Sequence, residues 1–276
     1  MKWLKRNFTT IILLLILLAG LSLLLYPTVS DYWNSFHQSR AIATYAEAVA
    51  ELDNGQYEDM WQEAVEYNEK LKEKENRWFL TEEEQEEYEG ILDISGTGIM
   101  GYIEIPEIKV SLPIYHGVDE GILQVAIGHI PGTSLPTGGE GTHCVVSGHR
   151  GLPSAKLFTD LDKLVEGDIF LMRVLDETMT YEVDQILIVE PEDTSALEME
   201  AGKDLCTLVT CTPYGVNSHR LLVRGHRIEN LEEASSIRVT ADAQLIDSKL
   251  VAPAIAAPIL LVLLFGVMIR HRKRRR

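Results

Sequence analysis

The chain has 276 residues, 46% of them hydrophobic and 24% charged, with a net charge of −17. That length suits one ordinary domain with appendages. The composition excludes wholesale disorder, and the acidity argues against a broad nucleic-acid-binding surface. The charge is partitioned. Lys2, Lys5 and Arg6 at one end, and Arg270, Arg272, Lys273, Arg274, Arg275 and Arg276 at the other, hold nine positive charges, so the rest carries −26.

In chain order, a basic tail (1–6) precedes the uncharged stretch 7–30, centred on IILLLILLAGLSLLL. As a helix those 24 residues reach roughly 36 Å, enough to cross a bilayer core. No small-x-small cleavage site follows the run, which ends in Tyr26-Pro27, so an uncleaved anchor is favoured over a signal peptide. A second uncharged run, 251–269, reaches roughly 28 Å despite Pro253 and Pro258, and the basic tail 270–276 after it suits a cytoplasmic leaflet. The flanking charges place both termini in the cytoplasm and 31–250 outside, a two-pass topology in the cell membrane.

Residues 31–94 read as an extracytoplasmic helical region. Ile42, Tyr45, Val49 and Leu52 line one helical face, and Met60, Ala64, Tyr67 and Leu71 line another. Asp53-Asn54-Gly55 signals a turn between them, so a helical hairpin or a kinked helix is expected. Thr81-Glu82-Glu83-Glu84 fits a capping box, and the acidic run 82–89 reads as a solvated face.

After Gly90 the pattern changes to short strands rich in Val, Ile and Leu between Gly/Pro turns: IMGYIEIP, KVSLPIYHG, THCVVSGH, DIFLMRVL, TYEVDQILIVE, DLCTLVTC and RLLVRG. Only FTDLDKLVEG looks partly helical. The fold class is therefore mainly β, a closed barrel or a sandwich over 95–230, followed by a polar linker at 231–250. No Walker sequence, GxGxxG or zinc-type Cys/His spacing occurs, so no cofactor and no metal is expected.

Three residues draw attention. Cys211 ends the strand LCTLVTC just before Thr212-Pro213-Tyr214-Gly215, where a thiol is placed to face a ligand. His149 sits in Ser147-Gly148-His149-Arg150-Gly151, and a cysteine nucleophile needs a base because only its thiolate attacks well. Arg220 starts the next strand, nine residues beyond Cys211, where a guanidinium can hold an oxyanion. Taken singly, His149 is more often a surface or core histidine than a catalyst, and Arg220 is better read as a surface salt bridge. His219 should point to the opposite side from Arg220. Cys144 and Cys206 lie inside apolar strands and read as core cysteines. Cys144 precedes His149 by five residues and Cys206 precedes Cys211 by five. Parallel strands in that register bring His149 to Cys211 and Cys144 to Cys206, the latter as a disulfide or as adjacent thiols.

TLVTCTPYGVNSHRLLVRG around Cys211 and Arg220, and VVSGHRG around His149, resemble the sortase family of cysteine transpeptidases. GIMGYIEIPEIKVSLPIYHG and the membrane segment leading into LLLYPTVSDYWN resemble its pilin-polymerising class C branch. The resemblance implies an eight-stranded sortase β-barrel with two flanking transmembrane helices. It implies Cys211 as nucleophile on the Thr–Gly bond of an LPXTG-type sorting signal, His149 as general acid/base, and Arg220 as the group that positions the peptide and steadies the oxyanion. The implied partners are LPXTG-type pilin or surface-protein substrates, a pilin lysine or a peptidoglycan amine as acceptor, and the lipid bilayer, with no nucleic acid. Many class C members carry an Asp-Pro-aromatic lid before the barrel. Residues 53–98 here have no proline, so an open groove is expected, with Trp78 and Phe79 fitting a substitute plug and a core or membrane-surface role equally. The competing readings are a sortase attaching surface proteins to peptidoglycan, an unrelated cysteine transpeptidase acting on peptidoglycan stems, and a non-catalytic membrane-tethered binding domain.

Overall fold

The computed structural model describes residues 2–230. The expected linker 231–250, second span 251–269 and basic tail 270–276 lie outside the described residues.

Helix α1 (Lys2–Ala50) is one continuous helix that runs through Pro27. The boundary expected at residue 30 is therefore not a structural break: a proline removes one intrahelical hydrogen bond but does not end a helix whose flanking turns are strongly helical. Its apolar first half is long and apolar enough to cross a membrane, and none of its most hydrophobic window is buried by the protein. Its second half docks on the barrel. Asn34 donates to the Ser154 carbonyl at 2.8 Å and Gln38 to that of Val125 at 2.6 Å. The buried Tyr45 hydroxyl donates to the Met100 carbonyl at 3.1 Å and accepts from Leu175 N–H at 2.7 Å.

The turn signal at 53–55 is realised as an N-cap. Asp53 accepts from Gln56 N–H, Gln56 reaches back in a capping box, and α2 (Asn54–Lys72) follows. Ala64, Tyr67 and Leu71 form its buried face, as their spacing requires. Thr81 and Glu84 make the same reciprocal cap on α3 (Glu82–Gly90). Tyr88 of α3 is wholly buried and donates to the His129 main-chain carbonyl at 3.2 Å, pinning the helical region to the barrel.

Eight strands close the barrel: β1 (Ile99–Ile105), β2 (Val110–His116), β3 (Ile127–His129), β4 (Thr142–Ser147), β5 (Ile169–Val174), β6 (Glu177–Val189), β7 (Asp204–Thr212) and β8 (His219–Ile228). Their order around it is β1-β2-β3-β4-β7-β8-β6-β5. Seven coincide with the apolar runs. The eighth, β3, has three residues and is too short to show a period. The pairs β2–β3 and β4–β7 are parallel, and the other pairs are antiparallel. Met100, Ile103, Ile114, Val146, Phe158, Phe170, Leu208 and Val223 fill the interior.

Candidate active site

The site lies where β4, β7 and β8 end together. β4 and β7 run parallel with Cys144 opposite Cys206 and Ser147 opposite Val209. The pairing continues past the last ladder residue: Gly148 N–H donates to the Val209 carbonyl at 3.0 Å, and the Thr210 hydroxyl donates to the Gly148 carbonyl at 2.7 Å. His149 is the next residue of the β4 chain and Cys211 the next but one after Val209, so the turn that carries His149 starts at the end of β7 that carries Cys211. On the other side, Cys211 and Arg220 are direct antiparallel partners. Cys211 and Arg220 are thus ladder partners, and Cys144 and Cys206 stand in the parallel register that the five-residue spacing called for.

Side-chain alternation decides which way these groups face. Cys144, Val146, Cys206 and Leu208 belong to the barrel core. Val145 and Val209, one residue out of phase, belong instead to a second apolar cluster with Leu197 and Leu222. Cys211 shares phase with Val209, so its thiol is on the outer face, at the end of an apolar strip formed by Val145, Val209 and Leu222. Cys211, His149 and Arg220 are all partly exposed.

What these side chains lack is informative. No hydrogen bond within the described residues engages the Cys211 thiol or the His149 imidazole. The Arg220 guanidinium has no carboxylate partner there, and only Nη1 is used, on the main-chain carbonyls of Asn217 and His219 at 3.4 and 3.2 Å. The other described histidines on the barrel are mostly engaged. Both ring nitrogens of His116 meet carbonyl oxygens, those of Gly98 and Ile91. His129 lies between the Tyr88 hydroxyl and the Ser134 carbonyl, and His143 between the Glu198 carbonyl and the Thr207 hydroxyl. His219 pairs with Glu190 at 3.4 Å.

The turn carrying His149 is braced by residues that sequence reasoning passed over. The largely buried Arg150 forms an ion pair with Asp162, reaches the Thr212 hydroxyl at 3.4 Å and lies 5.9 Å from the Tyr214 ring centre. It therefore ties the β4 turn to the end of β7. Gly151 has φ +78° and sits against the Tyr214 ring, where a Cβ would lie 3.0 Å from a ring carbon. The SGHRG string was the available signal: a charged residue between glycines in a tight turn needs a specific partner.

The expectation of an open groove is not met at its floor. Trp78 packs against the Val145–Leu197–Val209–Leu222 cluster, while Phe79 is 74% exposed. Arg77 locks this segment, donating to the Gly132 carbonyl at 3.0 Å, to the Leu197 carbonyl at 3.1 Å and to Glu198 at 2.9 Å, with its guanidinium 4.4 Å from the Trp78 ring centre. The main chain is so close that a Cβ on Gly132 would lie 2.3 Å from the Arg77 carbonyl oxygen. A cover without proline is possible because a buried arginine, not backbone rigidity, holds it.

Cys144 and Cys206 face one another inside the barrel as free thiols, so the disulfide alternative is not realised. Burial drives the Cys206 thiol well above its ordinary range, and its neighbour's thiol further opposes ionisation. Among the described residues no group of three or more His, Cys, Asp or Glu could hold a metal ion.

This geometry has counterparts. Residues 103–228 match the Sortase domain family model. The structure resembles sortase C1 from Streptococcus agalactiae with TM-score 0.67 and 52% identity, covering 70% of this chain and 100% of that one. It resembles Clostridium perfringens sortase C, solved with the C-terminal cell wall sorting motif, with TM-score 0.62 and 40% identity, covering 69% and 99%. Among curated proteins, Sortase D of Bacillus subtilis is 31% identical over 46% of this chain, and the match spans 63% of that protein's length. Full coverage of a solved sortase at 52% identity, on the same closed barrel, shows that the chain belongs to the sortase family of cysteine transpeptidases.

Proposed function

We propose that the chain is a membrane-anchored transpeptidase that cleaves an LPXTG-type sorting signal and transfers the acyl group to a lysine amine of a pilin subunit. The observation that carries this reading is the pairing of Cys211 with Arg220 at the end of an apolar strip, beside the strand end that leads into the His149 turn, with none of the three side chains engaged by another side chain.

The Cys211 thiolate attacks the threonine carbonyl carbon of the scissile Thr–Gly bond. The resulting oxyanion is held by Arg220, a fixed cation that needs no reorganisation as charge develops. Protonated His149 gives its proton to the glycine nitrogen, the C–N bond breaks and the thioacyl-enzyme remains. His149 then accepts a proton from the incoming amine as that amine attacks the thioester, and the Cys211 thiolate leaves.

The groove fits the peptide. The leucine of L-P-X-T lies three residues before the threonine, about 10 Å away in an extended chain. Val209 lies about 7 Å from Cys211 along β7 and Thr207 about 13 Å, so the apolar floor is where that leucine falls. Trp78 covers the same floor, so substrate entry displaces it. The pilin-lysine acceptor rests on the likeness to class C sortases, and the N-terminal helix supplies the anchor. In the two-pass topology expected from the flanking charges, 1–6 and 270–276 are cytoplasmic, 7–30 and 251–269 span, and 95–230 is the extracellular catalytic domain.

The test is mass spectrometry of the chain incubated with an LPXTG-type peptide. An acyl adduct on Cys211 that hydroxylamine removes is expected, and its absence from a folded sample rejects the reaction. Adding a pilin domain or a peptidoglycan-derived amine then identifies the acceptor.

A further inference from the structure

A catalytic histidine is usually aimed by a third group that bonds its ring. Among the described residues nothing donates to or accepts from the His149 ring, so its main chain has to aim it. That main chain is clasped on both sides of the histidine by the residues on both sides of Cys211. Ahead of His149, the Gly148 carbonyl accepts from the Thr210 hydroxyl at 2.7 Å. Behind it, Arg150 Nη1 donates to the Thr212 hydroxyl at 3.4 Å. Thr210 and Thr212 are 1% and 7% exposed, whereas Cys211 between them is partly open to solvent.

The two clasps differ. The first closes on backbone, and the Gly148 N–H bond to the Val209 carbonyl at 3.0 Å supports it from the strand pairing. The second is held by a side chain alone, and that side chain is unfavourable to bury. Arg150 is 9% exposed, and its Nε is buried with no hydrogen-bond partner among the described residues. A buried cation with an unpaired donor persists where the surroundings fix its geometry. Here Asp162, on the single turn Leu161–Lys163, is its ion-pair partner. That turn belongs to the connection whose Phe158 N–H donates to the His149 carbonyl at 3.1 Å. Arg150 therefore joins the His149 turn, the end of β7 and the 158–163 connection. A guanidinium suits the task because its fork reaches two acceptors at once.

We propose that Arg150 is a positioning residue for acyl transfer: through Thr212 and Asp162 it holds the His149 turn where the imidazole can deliver its proton to the leaving amine. The inference rests on the reading of Cys211 as nucleophile and His149 as acid. It implies a selective defect. In an amide substrate the C–N bond breaks as the glycine nitrogen takes the His149 proton. In a thioester of the same peptide the C–S bond breaks and the thiolate leaves without a proton. A misplaced His149 slows the first reaction and spares the second, whereas damage to the binding surface or the fold slows both.

The test is single-turnover acylation of Cys211 in the full chain in detergent, followed by mass spectrometry, with an LPXTG-type peptide and with the matching LPXT thioester. Each rate is divided by the rate of Cys211 alkylation by iodoacetamide, which removes any change in thiolate supply. Arg150→Met is expected to lower amide acylation about 10²-fold at an unchanged half-saturating peptide concentration, and thioester acylation by less than about threefold. Thr212→Val keeps the side-chain volume and the Arg150–Asp162 pair. It should lower amide acylation about tenfold with the same selectivity, and it decides the matter where Arg150→Met does not fold. The double variant should be no slower than Arg150→Met alone. Equal losses on both substrates, no loss on the amide, or an additive double variant overturns the proposal. A folded wild-type chain that neither substrate acylates sinks the acyl-transfer reading itself. A wild type acylated by both, with variants that show no selectivity, sinks this inference alone.

Discussion

Two cysteine pairings on the same two strands, five residues apart, have opposite fates. Cys144 and Cys206 are ladder partners facing inward, while Cys211, five residues on along β7, faces outward near the turn that carries His149. Five is odd, so the pleat inverts the face between the two positions. The inner pair is packed among Tyr88, Phe170 and Leu208, where burial suppresses ionisation of Cys206. The outer one has a cation and an imidazole at hand. Face, and not sequence neighbourhood, separates a filling thiol from a reactive one.

The largest effect should come from erasing the outer member. Cys211→Ala is expected to reduce peptide cleavage more than about 10⁴-fold, measured by product release. In the same spirit, iodoacetamide should alkylate Cys211 in the folded chain and reach Cys144 and Cys206 only after denaturation, as peptide mapping will read. Labelling of all three at one rate would erase the distinction between the faces. Removing the partners costs less. His149→Ala and Arg220→Ala should each lower the cleavage rate by about 10²-fold or more, with Arg220→Lys recovering only part because an ammonium lacks the planar fork.

Changes that leave the chemistry intact should be smaller. Trp78→Ala uncovers the apolar floor and is expected to raise peptide turnover about tenfold, with the gain mainly in KM, since about 1.4 kcal/mol of Trp78 packing no longer has to be displaced. Unchanged kinetics would mean that the cover opens freely. On the inner face, Cys206→Ser places a hydroxyl among apolar groups and should destabilise the fold by about 1–3 kcal/mol in urea titration, with activity per folded molecule preserved.

How far the primary structure reveals this arrangement depends on the range of the contacts. Capping boxes at Asp53 and Thr81, and the helical face of Ala64, Tyr67 and Leu71, are local and were legible. So was the β4–β7 register, because matched spacings of cysteines and histidine encode it. The seat of Trp78 was not legible. It depends on Arg77 reaching Gly132 and Glu198, 55 and 121 residues away, and no local pattern records such closure. Arg150 was hidden for the same reason, since its partners Thr212 and Asp162 lie on separate elements. The unbroken α1 was missed because the boundary at residue 30 follows the end of the uncharged run, which marks a change of surroundings and not of helical propensity.

The outer face offers one more comparison, between its two ends. His149 lies at the end that carries Cys211. His143, on β4 six residues before it, is wholly buried at the other end, hydrogen-bonded to the Glu198 carbonyl and the Thr207 hydroxyl. Burial pulls the His143 imidazole below its ordinary 6.5, and Arg224 and Arg77 pull it further, against the Glu198 carbonyl. The folded state therefore refuses a proton that the unfolded chain accepts below about pH 6.5. The stabilising contribution of neutral His143 is complete above that pH and is lost as the pH falls toward the depressed folded value. Thermal melts of the solubilised chain should show a midpoint falling between pH 7 and 5, by at most about 1.4 kcal/mol per pH unit from this group. His143→Gln should flatten that slope while leaving the pH dependence of peptide cleavage in place. If it shifts the cleavage profile instead, the two ends of the face are coupled and the division between structural and reactive histidines fails.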